Sequence, residues 1–206
     1  MENQDTTALF KVSYGLFLLS AKNDEQDNAC IINTFLQITS NLPCICIIAV
    51  NKQNFTSEII SRTQKFNLSI LTIETPFEIL KRFGYQSGRD ANKFKDFANF
   101  SQSDNGLVFL TDYANAFLSF NVLEMIDFNS HIVFKAILTE SKTLSDKESM
   151  TYDYYQQNVK PKPQTTIEQS YRCIICGYVH REETLPPDFI CPLCKHGASD
   201  FVRINT

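Results

Sequence analysis

Four of the seven cysteines fall within 22 residues: Cys173-Ile-Ile-Cys176, fourteen further residues, then Cys191-Pro-Leu-Cys194. Two C-x-x-C pairs at this separation form a tetrahedral thiolate site, each pair wrapping one edge of a metal ion. Binding draws the proton from every thiol, because only thiolates hold the metal strongly. Two disulfides in a secreted staple domain would use the same residues. An odd cysteine total and the lack of a convincing signal peptide oppose that reading, since reduced cytosol is the default. Tyr171 to Thr206 spans 36 residues, below the ~40 at which a core alone sustains a fold, so this segment must fold around its ion.

Zinc ribbons use the same four ligands, so the surroundings decide the metal. Gly177 follows the first pair and allows a positive-φ turn whose backbone N–H groups point at sulfur. Tyr171, Phe189 and Phe201 can shield the site. Such hydrogen bonds and shielding tune an iron–thiolate potential. With four thiolates present, His180 and His196 read as solvent-exposed bystanders. Tyr-Arg-Cys-Ile-Ile-Cys-Gly-Tyr followed by Pro-Pro-Asp-Phe-Ile-Cys-Pro-Leu-Cys-Lys-His resembles a rubredoxin. The short gap between pairs is similar to the tail of rubrerythrins. The resemblance implies one iron on Cys173, Cys176, Cys191 and Cys194.

Upstream, Leu9 to Thr139 has mainly the period of strands. Asn28 to Ser40 alternates, with Ile32, Thr34, Leu36, Ile38 and Ser40 expected on a core face and Ile31, Asn33, Phe35, Gln37 and Thr39 on the other. Val12–Ala21, Cys44–Val50, Phe66–Thr72, Leu107–Thr111, Phe117–Ile126 and Ile132–Thr139 read as further strands. A closed antiparallel barrel accommodates them and removes sheet edges. Thr75-Pro76-Phe77-Glu78 reads as a capping box with proline at the first helical position, opening a helix to about Phe83. A second helix is expected from Asn54–Thr56 to about Gln64. Its free N–H groups, the Thr56 hydroxyl and Lys52 would suit a phosphate.

Three strings, Asn33-Thr34-Phe35-Leu36-Gln37-Ile38-Thr39-Ser40, Asn51-Lys52-Gln53-Asn54-Phe55-Thr56 and Phe83-Gly84-Tyr85-Gln86-Ser87-Gly88-Arg89-Asp90-Ala91-Asn92-Lys93-Phe94, resemble the flavin reductase-like family. The likeness extends through His131-Ile132-Val133-Phe134 and Thr151-Tyr152-Asp153-Tyr154-Tyr155. It implies a mainly β fold with a few helices, the FMN-binding split β-barrel, joined to a small rubredoxin-like iron domain. It further implies Asn33, Thr34, Gln37, Thr39 and Ser40 along the isoalloxazine and ribityl chain. Asn51, Lys52, Asn54 and Thr56 would hold the phosphate and ribityl chain, with Ser87, Lys93 and His131 approaching the flavin from other segments. Fused proteins of this kind are electron-transfer oxidoreductases. They imply NAD(P)H as transient donor, a homodimer, and a flavodiiron or rubrerythrin-type acceptor.

Residues 1–155 are expected to form the flavin domain, 156–169 a polar, proline-punctuated linker and 170–206 the iron domain. Cys30, Cys44 and Cys46 lie in apolar stretches and read as small buried hydrophobes. Neither a G-x-G-x-x-G nor a G-x-x-x-x-G-K-[ST] string occurs, so a dinucleotide fold of the usual kind is excluded and nicotinamide would stack directly on FMN. No residue stands out as a nucleophile or general base. A formal charge of −4 argues against nucleic acid. The longest apolar run, Leu42 to Val50, is nine residues, about half of a membrane span; the expected location is cytoplasmic. A relay reduced by a separate reductase, and a free-flavin reductase with a structural zinc tail, use the same residues.

Overall fold

The computed structural model describes residues 8, 11–24, 26–161, 170–182 and 184–204. The chain divides into two compact units, Met1–Lys160 and Pro161–Thr206. The linker expected at 156–169 is interrupted at its start. Tyr152–Tyr154 is a short helix, α3, and Tyr155–Val159 continues it as a π-helical turn that belongs to the first unit. Residues 162–169 lie outside the described residues.

The first unit is built on a seven-stranded antiparallel sheet. Its strands are β1 (Phe17–Asn23), β2 (Gln26–Ile32), β3 (Phe35–Gln37), β4 (Ile45–Asn51), β5 (Lys65–Leu71), β8 (Ala114–Phe128) and β9 (His131–Thr143). Their order is β2-β1-β5-β8-β9-β4-β3. Helix α1 (Phe55–Thr63) follows β4, and α2 (Phe77–Gly84) follows β5. Strands β6 (Phe100–Gln102) and β7 (Val108–Leu110) form a separate ribbon. The sheet is not closed: β2 and β3 are its two ends, and Asn33-Thr34 between them is not strand. The barrel is therefore split there.

The break also corrects the expected alternation. Ile32 is buried, yet Leu36 and Ile38 are 55% and 52% exposed. Phe35 takes the inward position instead, its ring 5.6 Å from Phe17 and 6.1 Å from Phe120. Two non-strand residues shift the phase, and a one-residue shift exchanges the faces. The core beneath is Leu19, Ile48, Val50, Ile60, Phe66, Leu68, Phe120 and Phe134, all nearly inaccessible to water. A second cluster around Leu80, Phe83, Phe97 and Leu110 packs α2 against the sheet.

Helix α1 has the expected bounds, although the Asn54 side chain does not cap it and reaches Cys30 Sγ instead. Asn54 stands at the N-cap position, and Gln64 closes the helix in the left-handed region at φ 58°. Helix α2 differs from expectation: Pro76 is the N-cap residue and the capping box is not made. Thr75 Oγ1 donates instead to the Tyr113 carbonyl at 3.2 Å, because the tertiary partner is within reach.

The second unit is a three-stranded sheet, β10 (Ser170–Cys173), β11 (Val179–His180) and β12 (Phe201–Ile204), in the order β11-β10-β12. Phe201 meets Tyr178 and Phe189 edge-on. Among the described residues no helix is long and apolar enough to cross a membrane.

Candidate functional site

The two cysteine pairs of the second unit converge. The four Sγ atoms lie within 4.8 Å of one another, with Cys173–Cys194 at 3.6 Å and Cys176–Cys191 at 3.5 Å. A tetrahedron with metal–sulfur bonds of about 2.3 Å has edges of about 3.8 Å, so the donor set fits one ion. Strand β10 delivers Cys173. Gly177, at φ +77°, turns the chain back after Cys176, a conformation open to glycine at little cost. Backbone N–H groups then point at sulfur: Tyr178 at Cys176, His196 at Cys194, and both Cys194 and Leu193 at Cys191. Against the cost of burial, the N–H groups of Cys194 and Leu193 bring the Cys191 thiol down to about 7. Burial and its sulfur neighbours, against the His196 N–H, push Cys194 up to about 12. A metal ion bound here takes the place of the thiol protons.

Of the two tail histidines, His196 is exposed as expected. His180 is not: it is only 8% exposed, its ring 4.3 Å from Phe189. Pairing with Tyr171 across β10–β11 turns it inward. Around the sulfurs, Ile174, Ile175, Ile190 and Leu193 are 53–70% exposed, forming an apolar rim on the ligand loops.

In the first unit a cavity of about 280 Å³ opens at the N-terminus of α1. It brings together Asn54, Thr56, Ser87 and Lys93, four of the residues proposed from sequence, with Cys30, Gln53 and Tyr85. Lys93 is 4% exposed, and its ammonium donates to the Ala29 and Phe83 carbonyls at 2.8 and 2.9 Å. An ammonium has three protons, so one donor remains for the cavity. Burial pulls its pKa below the usual lysine range, with Cys30 opposing weakly. A buried cation beside the free N–H groups of a helix start calls for an anion. The phosphate of a flavin mononucleotide fits this donor set.

Thr56 is buried, and its hydroxyl accepts from Asn28 Nδ2 at 2.7 Å; sequence reasoning missed Asn28, which looks like an ordinary polar strand residue. Gly88 explains the packing: a Cβ there would collide with the Asn28 side chain. Glycine therefore lets the 87–93 loop close over β2 and carry Ser87 and Lys93 to the helix start. The Ser87 hydroxyl accepts from the Arg89 N–H at 3.1 Å.

The remaining candidates stand in two other groups. Asn51 pairs with His131 across β4–β9, the His131 ring touches Ser130 Oγ at 2.9 Å, and Lys52 is ion-paired with Asp127 at 2.5 Å. Lys52 thus faces the β8–β9 hairpin, and Lys93 is the cation of the cavity. Asn33, Thr34, Gln37, Thr39 and Ser40 lie along the barrel's opening and the loop after β3. There Thr39 Oγ1 accepts from the Ile45 N–H at 2.8 Å, and Gln37 Nε2 donates to the Thr39 carbonyl at 2.9 Å. Cys30, Cys44 and Cys46 are buried, at 5%, 7% and 3% exposure.

Comparison with known proteins agrees with this two-part architecture. Residues 9–162 match the flavin reductase like domain family, and residues 171–202 match the rubrerythrin, rubredoxin-like domain. A high molecular weight rubredoxin of Moorella thermoacetica is 33% identical, over 97% of this chain and all of the relative. A ferric-chelate reductase (NAD(P)H) of Archaeoglobus fulgidus is 30% identical over 78% of this chain and 95% of its own. The crystal structure of flavoredoxin from Methanosarcina acetivorans superposes with a TM-score of 0.57 at 17% identity, covering 64% of this chain and 69% of that one. With the fold, the cavity and the thiolate cluster in agreement, the chain belongs to the flavin reductase-like family and carries a rubredoxin-like domain after the barrel.

Proposed function

We propose that the protein is an electron-transfer oxidoreductase that passes electrons from NAD(P)H through FMN to a mononuclear Fe(Cys)4 centre, and on to a protein acceptor such as a flavodiiron protein or a rubrerythrin. The observation that carries this is the presence in one chain of two sites of different redox arithmetic, a cationic flavin-phosphate cavity and a tetrathiolate cluster. Bound flavin would supply two-electron chemistry by taking one hydride, whereas iron held by four thiolates would exchange single electrons. Flavin-linked electron transfer follows from the family; NAD(P)H as donor is supported by the ferric-chelate reductase (NAD(P)H) among the relatives.

In this reading Lys93, Asn54, Thr56 and the α1 start hold the phosphate, while Asn51 and Lys52 stand on the β8–β9 side, outside that cavity. Asn33, Thr34, Gln37, Thr39 and Ser40 line the ribityl chain and ring, and Ser87 and His131 close the site. No side chain is assigned a proton-transfer or nucleophilic role. Cys173, Cys176, Cys191 and Cys194 hold the iron, and the apolar rim of Ile174, Ile175 and Leu193 meets the acceptor. Residues up to Lys160 make up the flavin domain, and the segment from Pro161 onward carries the connection and the iron domain, in the cytoplasm. The β8–β9 hairpin exposes Leu123, Met125, Ile126 and Phe128. Exposed apolar side chains on a projecting hairpin mark an association surface, so the working form is a homodimer of the 23.6 kDa chain under two-fold symmetry.

Anaerobic stopped-flow mixing of the flavin- and iron-loaded protein with NADH or NADPH tests the order of carriers. Rapid flavin bleaching followed by loss of the iron–thiolate colour is the expected sequence. No bleaching by either nucleotide would make the protein a relay served by a separate reductase. Zinc in place of iron on elemental analysis would make the tail structural.

A further inference from the structure

Strand β2 is an end strand of the sheet, so its outer carbonyls are free for other partners. The Ala29 carbonyl takes the Lys93 ammonium at 2.8 Å, and Cys30 lines the phosphate cavity. Asn28, two residues before Cys30 and on the same face of the strand, is 3% exposed and stands behind that lining. Its amide Nδ2 donates to the Thr56 hydroxyl at 2.7 Å. Glycine at 88 makes room for this amide, since a Cβ there would collide with the Asn28 side-chain oxygen. The amide is thus wedged between the 87–93 loop and the start of α1, its nitrogen toward the helix.

We propose that Asn28 is a positioning residue that fixes the polarity of the Thr56 hydroxyl, so that Thr56 offers the cavity a proton and the site selects a phosphate-bearing flavin. The inference rests on the flavin reading above and deepens its phosphate site. A hydroxyl has one proton and two lone pairs. The bond accepted from Asn28 fills a lone pair on the buried side and leaves the proton to be given elsewhere. Cys30 Sγ, within hydrogen-bond reach of the same hydroxyl, is the protein's own competing acceptor. Burial pushes the Cys30 thiol up, so it stays neutral, and a neutral thiol accepts weakly. A phosphate oxygen is charged and makes a bond about twice as strong as a neutral acceptor does. The Thr56 proton then joins the third proton of Lys93 and the N–H groups at the α1 start. Without Asn28 the hydroxyl would turn freely and spend part of its time with lone pairs toward the anion.

Titration of the full-length protein with FMN and with riboflavin, followed by flavin fluorescence, tests this. Asn28→Ala, which frees the hydroxyl, should weaken FMN about threefold to tenfold, the worth of one hydrogen bond. Asn28→Asp keeps the shape of the side chain but accepts from Thr56 instead of donating, and should weaken FMN more than alanine does. A packing role predicts the opposite order, because alanine leaves a hole and aspartate does not. Riboflavin, without a phosphate, should bind the wild type and both variants alike. In a Thr56→Val background, Asn28→Ala should cost FMN nothing further, the signature of two residues acting as a unit. Unchanged FMN affinity, equal losses for both ligands, alanine worse than aspartate, or full additivity with Thr56→Val would overturn the proposal and leave the flavin site standing. Wild-type protein that binds FMN no tighter than riboflavin would remove the phosphate reading of the cavity, and this inference with it.

Discussion

Two sulfur clusters in this molecule have nearly the same spacing and opposite chemistry. Cys44 and Cys46 share a face beside β4, their Sγ atoms 3.9 Å apart; Cys173 and Cys194 stand 3.6 Å apart in the tail. Burial pushes Cys46 up to about 12, with the Cys44 thiol adding to it. In the tail, backbone N–H groups of Cys194 and Leu193 overcome burial and bring Cys191 down to about 7. The backbone N–H groups of strand β4 are engaged in sheet ladders with β3 and β9, whereas the turns of a C-x-x-C loop leave theirs for sulfur. Proximity of two thiols does not make a metal site; the convergence of four on one point, held by two C-x-x-C turns, does.

The largest test of that contrast is Cys176→Ser. Removing one of four thiolates should abolish the metal–thiolate absorption and unfold the tail, because a segment this small has no other source of stability. Circular dichroism of the barrel and flavin binding should stay as they are. Acid acts in the same direction: protons compete with the metal for all four sulfurs, so metal loading should fall as the pH is lowered. A tail that stays folded and coloured after Cys176→Ser would show that another group completes the ligand set.

A smaller effect is expected from Lys93→Met, which keeps the length of a buried side chain and removes its charge. FMN affinity should fall about tenfold or more, the loss of one charge-assisted contact to a phosphate in a desolvated cavity. Riboflavin, which has no phosphate, should bind equally well to both proteins in the same titration. Equal losses for both ligands would place Lys93 against the ring or the fold rather than the phosphate.

How much of this was legible in the chain depends on the range of the interactions. The tetrathiolate is written in two local spacings, and its φ-positive glycine stands next to the second cysteine. The end of helix α1 is local in the same way: Gln64 bonds the Ile60 and Ser61 carbonyls of the last turn. The split in the barrel was legible through the family resemblance but not from periodicity, because Asn33-Thr34 carries no proline or glycine to mark a break, and alternation runs on through it in the sequence. Only the three-dimensional position of Phe17 and Phe120 makes Phe35, and not Leu36, the inward residue. Lys93 illustrates the same limit. A lone lysine in a polar loop reads as solvated, and its burial depends on Ala29, 64 positions away.

The smallest expected effect belongs to the other half of the comparison. If Cys46 is only a small buried hydrophobe, Cys46→Ala removes one sulfur from a packed wall and nothing else. Large-to-small changes in cores cost the lost transfer energy together with a cavity contribution. For a single sulfur this comes to about 1 kcal/mol, which lowers the melting temperature of a unit of this size by about 2–4 °C. Cys44 would lose its 3.9 Å neighbour, and its thiol would still reach the Thr39 carbonyl at 3.3 Å, so no buried donor is orphaned. Metal content, FMN affinity and the rate of flavin reduction should be unchanged, since Cys46 is neither a member of the tetrathiolate cluster nor a lining residue of the cavity at α1. Cys46→Ser sharpens the test, because it keeps the size but buries a hydroxyl with stronger hydrogen-bonding demands; it should cost more than alanine unless the Cys44 side chain accepts the proton. A change in metal content or reduction rate in Cys46→Ala, at unchanged melting temperature, would mean that the barrel thiols take part in the redox chemistry. The division between packing cysteines and ligand cysteines would then fail.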